Sequence, residues 1–75
     1  GYLLSGRMEI DKVNSMFGLD IPESDEYMTI GGLILSKAKG FPKVNEKVTV
    51  GDYTVRVLKK GDTKIELVEL TQKIS

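Results

Sequence analysis

The sequence predicts a small α+β domain in the order β-α-α-β-β-β, with two helices packed on a small antiparallel sheet. Three observations carry that expectation. Apolar residues recur at helical spacing near the start, a second helical stretch opens on a threonine after an acidic connector, and the last third alternates apolar and polar residues with period two.

Tyr2 to Leu4 is a short apolar run ending at Ser5 and Gly6, and it reads as the opening strand. Ile10, Val13 and Phe17 then fall on one helical stripe with Met16 beside it, which predicts a helix over residues 9–17. Glu9 and Asp11 suit the positive end of its dipole, and Gly18 supplies the left-handed residue that closes it. Leu19 to Met28 is an acidic connector stiffened by Pro22. Thr29 is the expected N-cap of the second helix, where Ile30, Leu33, Ile34 and Ala38 keep helical spacing until Gly40 and Pro42 end it. Gly31 and Gly32 each cost that helix about 1 kcal/mol against alanine, so a backbone packed tightly against them is the simplest compensation.

Val48 and Val50 alternate with polar residues, Gly51-Asp52 intervenes, and Tyr53, Val55 and Val57 alternate again. A two-residue loop led by glycine favours a type II′ turn, which pairs Val50 with Tyr53 and Val48 with Val55. Those five side chains are expected to share one buried face with Val13, Phe17, Leu33 and Ile34. Around Gly61-Asp62 two signals conflict. A two-residue loop pairs Lys60 with Thr63 and turns Glu66 inward. A three-residue loop pairs Lys59 with Thr63, Val57 with Ile65 and Val55 with Leu67, burying two large apolar chains. The three-residue register is therefore expected, with Gly61 or Asp62 at positive φ and Glu66 outward. The alternation slips between Leu67 and Val68, which predicts a bulge or burial on both faces. An outer patch of Leu58, Val68 and Leu70 is the expected partner surface, and Thr71 to Ser75 read as a frayed tail.

Residues 1–75 read as one domain, and the Gly-Tyr start reads as a piece of a longer protein. Eleven basic and eleven acidic residues cancel, which removes the electrostatic case for nucleic acid or an anionic membrane surface as a partner. No apolar run approaches the roughly 20 residues that span a bilayer, so direct membrane insertion is not expected. Without cysteine or histidine there is no disulfide, no thiolate zinc site and no Ser-His or Cys-His arrangement. No catalytic residue and no metal ligand set is expected, and the chain reads as a non-enzyme. Asp20, Glu23, Asp25 and Glu26 are oxygen donors of the kind Mg²⁺ or Ca²⁺ accepts, but their spacing fits no calcium loop, and a solvated connector is the simpler reading. Thr29, Gly31 and Gly32 at a helix N-terminus could hold a phosphate, though they match neither a Walker loop nor a dinucleotide fingerprint, and close packing competes with that role. Arg56, Lys59, Lys60 and Lys64 lie among Asp62 and Glu66 and read as a mixed solvated face.

The stretch from Glu26 through Tyr27, Thr29, Gly31 and Gly32 to Leu35 resembles the E-Y-x-T-x-G-G-hydrophobic signature of the CorC/HlyC-type transporter-associated domain. Phe17-Gly18-Leu19 and Ile21-Pro22 resemble the segment before that signature, and Gly40-Phe41-Pro42 its G-x-P. Asn45-Glu46-Lys47-Val48 stands where the family has Gly-Glu-x-Val, ahead of Gly51 and the strand start Tyr53-Thr54-Val55. The departure at Asn45 is mild, because asparagine tolerates a left-handed backbone. The likeness covers Tyr2 to Leu70. It implies a C-terminal cytoplasmic domain of membrane proteins linked to magnesium and cobalt efflux, of hemolysin-like proteins and of some cation antiporters. In such proteins it follows a transmembrane region and a pair of cystathionine-β-synthase (CBS) domains, and it modulates ion transport. Contact with the CBS pair or with a second copy is the implied mode of action. A fold related to a subdomain of FAD-binding oxidases is also implied, which leaves FAD or an adenine nucleotide as the competing ligand reading.

Overall fold

The computed structural model describes residues 1–38 and 40–72. Strand β1 (Tyr2–Ser5) is followed by α1 (Ile10–Phe17), α2 (Ile30–Lys37), β2 (Lys47–Val50), β3 (Tyr53–Lys60) and β4 (Ile65–Gln72). The strands form one antiparallel sheet in the order β1-β4-β3-β2, so the first strand pairs with the last. Val13, Leu33 and Ile34 from the helices are buried with Val48, Val50, Tyr53, Val55 and Val57 from the sheet. Leu4, Ile65, Val68 and Leu70 complete the same core.

Local chemistry explains most boundaries. Gly18 closes α1 at a φ of 64°, and its amide donates to the Asn14 carbonyl. The Thr29 hydroxyl caps α2 by accepting from the Gly32 amide at 3.1 Å. That helix ends at Lys37 with Ala38 already extended, so Gly40 (φ 87°) shapes the following loop rather than the helix end. Ahead of β2, the Glu46 amide donates to the Lys43 carbonyl and Asn45 takes a φ of 71°, the positive-φ third position of a type II turn. The Asn45 amide and the Glu46 carbonyl both bond to Val57, a bulge with its left-handed residue where glycine is usual. The expected β2–β3 register is observed in full, with Gly51 at a φ of 57° and Asp52 at negative φ.

Three expectations are corrected. Phe17 is 36% exposed rather than part of the core. It sits at the end of α1 against Tyr2, with ring centroids 4.8 Å apart. Neither register considered for β3–β4 occurs. The loop spans residues 61–64, Lys60 pairs with Ile65, Lys59 with Leu67 and Val57 with Val68, and Gly61 and Asp62 have no positive φ. Irregular pairing between Val57 and Lys60 shifts β4 so that Ile65, Val68 and Leu70 all point into the core, while Leu67 is half-buried on the other face and Glu66 is exposed. Burying three apolar chains instead of two outweighs the broken ladder, at about 1.5–3 kcal/mol for each chain. Finally, Thr71 and Gln72 belong to β4 and pair with Thr54 and Tyr53. The rest of the expected frayed tail, residues 73–75, lies outside the described residues.

Candidate functional site

The start of α2 is built where three backbones meet. The Gly6 amide donates to the Glu66 carbonyl of β4 at 3.0 Å, and the Gly6 carbonyl accepts from the Gly31 amide at 2.7 Å. A Cβ on Gly6 would run into the Ile65 carbonyl, and one on Gly31 would stand 2.9 Å from the Gly6 oxygen. Glycine is required at both positions so that strand and helix can touch. Around this junction the two helix starts are stitched together: the Ile10 amide donates to the Met28 carbonyl and the Ile30 amide to the Met8 carbonyl, at 2.9 and 3.0 Å.

A phosphate at this helix start would need free amides. Those of Ile30 and Gly31 are bonded to Met8 and Gly6, and that of Gly32 to the Thr29 hydroxyl. Thr29, Gly31 and Gly32 are therefore brought together as a capped and packed junction whose donors are already in use. The residues do not fit the phosphate of FAD or an adenine nucleotide. A shallow groove of about 310 Å³ runs beside them past Arg7, Leu35, Thr63 and Lys64. Sequence reasoning did not single out Gly6 or Arg7. The glycine after β1 was a visible signal for Gly6, but its partner lies some sixty residues on in β4.

The acidic connector is anchored through its backbone and its apolar residues. Asn14 grips Ile21 twice, its Nδ2 donating to the Ile21 carbonyl and its Oδ1 accepting from the Ile21 amide. The Asp20 amide donates to the Tyr53 hydroxyl at 2.8 Å, and Ile21 and Tyr27 are buried. Asp20, Glu23, Asp25 and Glu26 themselves are exposed. Among the described residues no group of three or more acidic side chains is placed to hold a metal ion, and no polar or charged side chain is buried.

The basic residues are dispersed. Arg56 Nη2 pairs with Glu69 Oε1 at 3.1 Å on the open sheet face. Lys60 Nζ donates to the Pro42 carbonyl at 2.9 Å and lies 4.9 Å from the centre of the Phe41 ring. The outer patch expected from Leu58, Val68 and Leu70 does not form, because Val68 and Leu70 are buried in the core and only Leu58 faces outward, half-buried. The bulge that turned Leu67 out turned those two in.

The family model described as a transporter associated domain, CorC_HlyC, matches residues 1–73. The UPF0053 protein YhdT of Bacillus subtilis is 35% identical over 71 residues, covering 95% of this chain and 15% of that protein. The UPF0053 inner membrane protein YfjD of Escherichia coli is 26% identical over 68 residues, covering 91% of this chain and 16% of that protein. Among solved structures, a putative Mg²⁺ and Co²⁺ transporter (CorC) associated region from Neisseria meningitidis superposes with a TM-score of 0.82 at 27% identity, covering 93% of this chain and 85% of that one. A CorC_HlyC domain of a Xylella fastidiosa hemolysin, in complex with Mg²⁺ and Mn²⁺, superposes with a TM-score of 0.79 at 18% identity, covering 93% of this chain and 84% of that one, and supports the fold alone. The chain spans about a sixth of the length of these two curated relatives.

Proposed function

The chain belongs to the transporter-associated-domain family, and on that premise we propose that it is a non-catalytic accessory domain that modulates ion passage through a membrane transporter by contact with the rest of that protein. The family match over residues 1–73 carries the reading. The helix start that resembled a ligand site favours a contact role over a ligand role, since its amides are already in use. Among the described residues no helix is long and apolar enough to cross a membrane, so the ion path would belong to other parts of the protein.

Magnesium and cobalt are the proposed ions, in keeping with the Neisseria relative, a putative Mg²⁺ and Co²⁺ transporter associated region. A CBS-domain pair, the transmembrane region or a second copy of the chain is the proposed partner, on the cytoplasmic side. The test is Mg²⁺ and Co²⁺ flux in vesicles carrying the full-length protein with and without these residues. Flux that persists but loses its dependence on internal ion concentration is the expected result. Flux and dependence both unchanged on deletion would overturn the reading.

A further inference from the structure

Resting on that reading, which leaves the partner open among three, we infer that the partner is a second copy of this chain, held face to face through the open side of the sheet. The other side carries Val55, Val57, Val68 and Leu70 into the core beneath the helices. On the open side the two central strands, β3 and β4, present matched rows. Thr54 pairs with Thr71 and Arg56 with Glu69, and beyond them Leu58, at the break in the ladder, lies near Leu67. Both leucines are half-buried.

These rows are self-complementary. A two-fold axis lying in the interface, parallel to the strands and between β3 and β4, carries each strand onto the other. It lays Glu69 over the partner's Arg56 and Arg56 over the partner's Glu69, with leucine against leucine on one side and threonine against threonine on the other. Aligned packing of two twisted sheets accommodates such an axis. In the single chain the Arg56 and Glu69 side chains are still 40% and 38% exposed, and Arg56 Nε is shielded from solvent without an acceptor. A second carboxylate beside the guanidinium would offset that unpaired donor. The same row ends in Leu3 on β1, 66% exposed, and in Lys47 on β2, whose aliphatic stem would cover the partner's Leu3.

An Arg–Glu pair flanked by its own kind asks nothing of a partner that this chain does not supply. The acidic connector, by contrast, presents four exposed carboxylates that repel a copy of themselves. Size sets the strength of the contact. Two strands of eight residues and two of four make a face of about 400 Å², at ~3.3 Å per residue and ~4.8 Å between strands. Two such faces remove about 800 Å² from water, short of the roughly 1,000 Å² of a stable interface, so the dimer is weak and reversible.

Sedimentation of the 75-residue chain, which closes its own core, should show a dimer at about 1 mM that dissociates by about 10 μM. Arg56→Glu and Glu69→Arg each set like charges against each other across the axis, and each should weaken association about tenfold or more. An equimolar mixture of the two variants should associate as the parent does, because each copy then supplies the charge that the other lacks. A chain that stays monomeric to about 1 mM overturns the inference. So does a mixture that associates no better than either variant alone. Amide NMR shifts followed on dilution of the unsubstituted chain give a second reading that no folding defect can confuse. They should move at Thr54, Leu58 and Leu67 and stay fixed in α1, whereas shifts confined to α1 or the connector overturn the assigned face. A monomeric chain leaves the flux test standing, since another part of the protein could be the partner. Flux indifferent to deletion, with the dimer intact, would instead remove the function and keep the contact.

Discussion

The hairpins β2–β3 and β3–β4 share a strand but are registered by different forces. In β2–β3 the glycine-led turn and the alternation of Val48, Val50, Tyr53 and Val55 demand the same pairing, and that pairing forms without irregularity. In β3–β4 the loop is permissive, and β4 must satisfy two neighbours, β3 on one side and β1 on the other. Leu4 faces Val68 and Tyr2 faces Leu70, so the register that buries Val68 and Leu70 against β3 also closes the core against β1. The break in the ladder near Leu58 accompanies that double fit. Where local and global preferences agree a strand pairs ideally, and where they differ the strand bends to the larger burial.

Side-chain truncation should separate the two registers most sharply. Ile65→Ala and Leu70→Ala are expected to cost about 2–5 kcal/mol in chemical denaturation, and Leu67→Ala about 1 or less. Equal losses at Ile65 and Leu67 would mean that both are buried, and the bulged pairing would be wrong. Next comes the close approach that pins β1 to β4 and α2. Gly6→Ala should destabilise by about 3 kcal/mol, because the added methyl meets backbone that cannot give way locally. Gly51→Ala, where only the φ of 57° is at issue and the nearest atom is Pro22 Cγ at 3.6 Å, should cost about 1–2. If thermal melts put the two glycines level, the junction is looser than described.

Phe17→Ala removes a half-exposed ring and one aromatic contact, for an expected loss of about 1 kcal/mol, while Leu33→Ala from the buried side of α2 should lose about 2–5. A Phe17 variant as unstable as the Leu33 one would return Phe17 to the core. The smallest effect is expected at the turn before β2. Asn45→Gly relieves a positive φ and should raise stability by no more than about 1 kcal/mol. A fall in melting temperature there would show that the asparagine side chain has a role beyond its backbone.

Elements whose causes lie within a few residues were legible in the sequence: the cap at Thr29, the closing Gly18, the Gly51-Asp52 hairpin and the tolerance of Asn45 for a left-handed backbone. Period and turn chemistry act locally, so the chain alone carries them. The candidate ligand site was legible as a glycine-rich helix start, but its meaning was not, since the atoms that occupy its amides belong to Gly6 and Met8. The fate of Phe17, the burial of Val68 and Leu70, and the need for Gly6 were decided by the tertiary structure. Each depends on β1 lying beside β4, a contact between the two ends of the chain that gains its free energy only when the whole core closes.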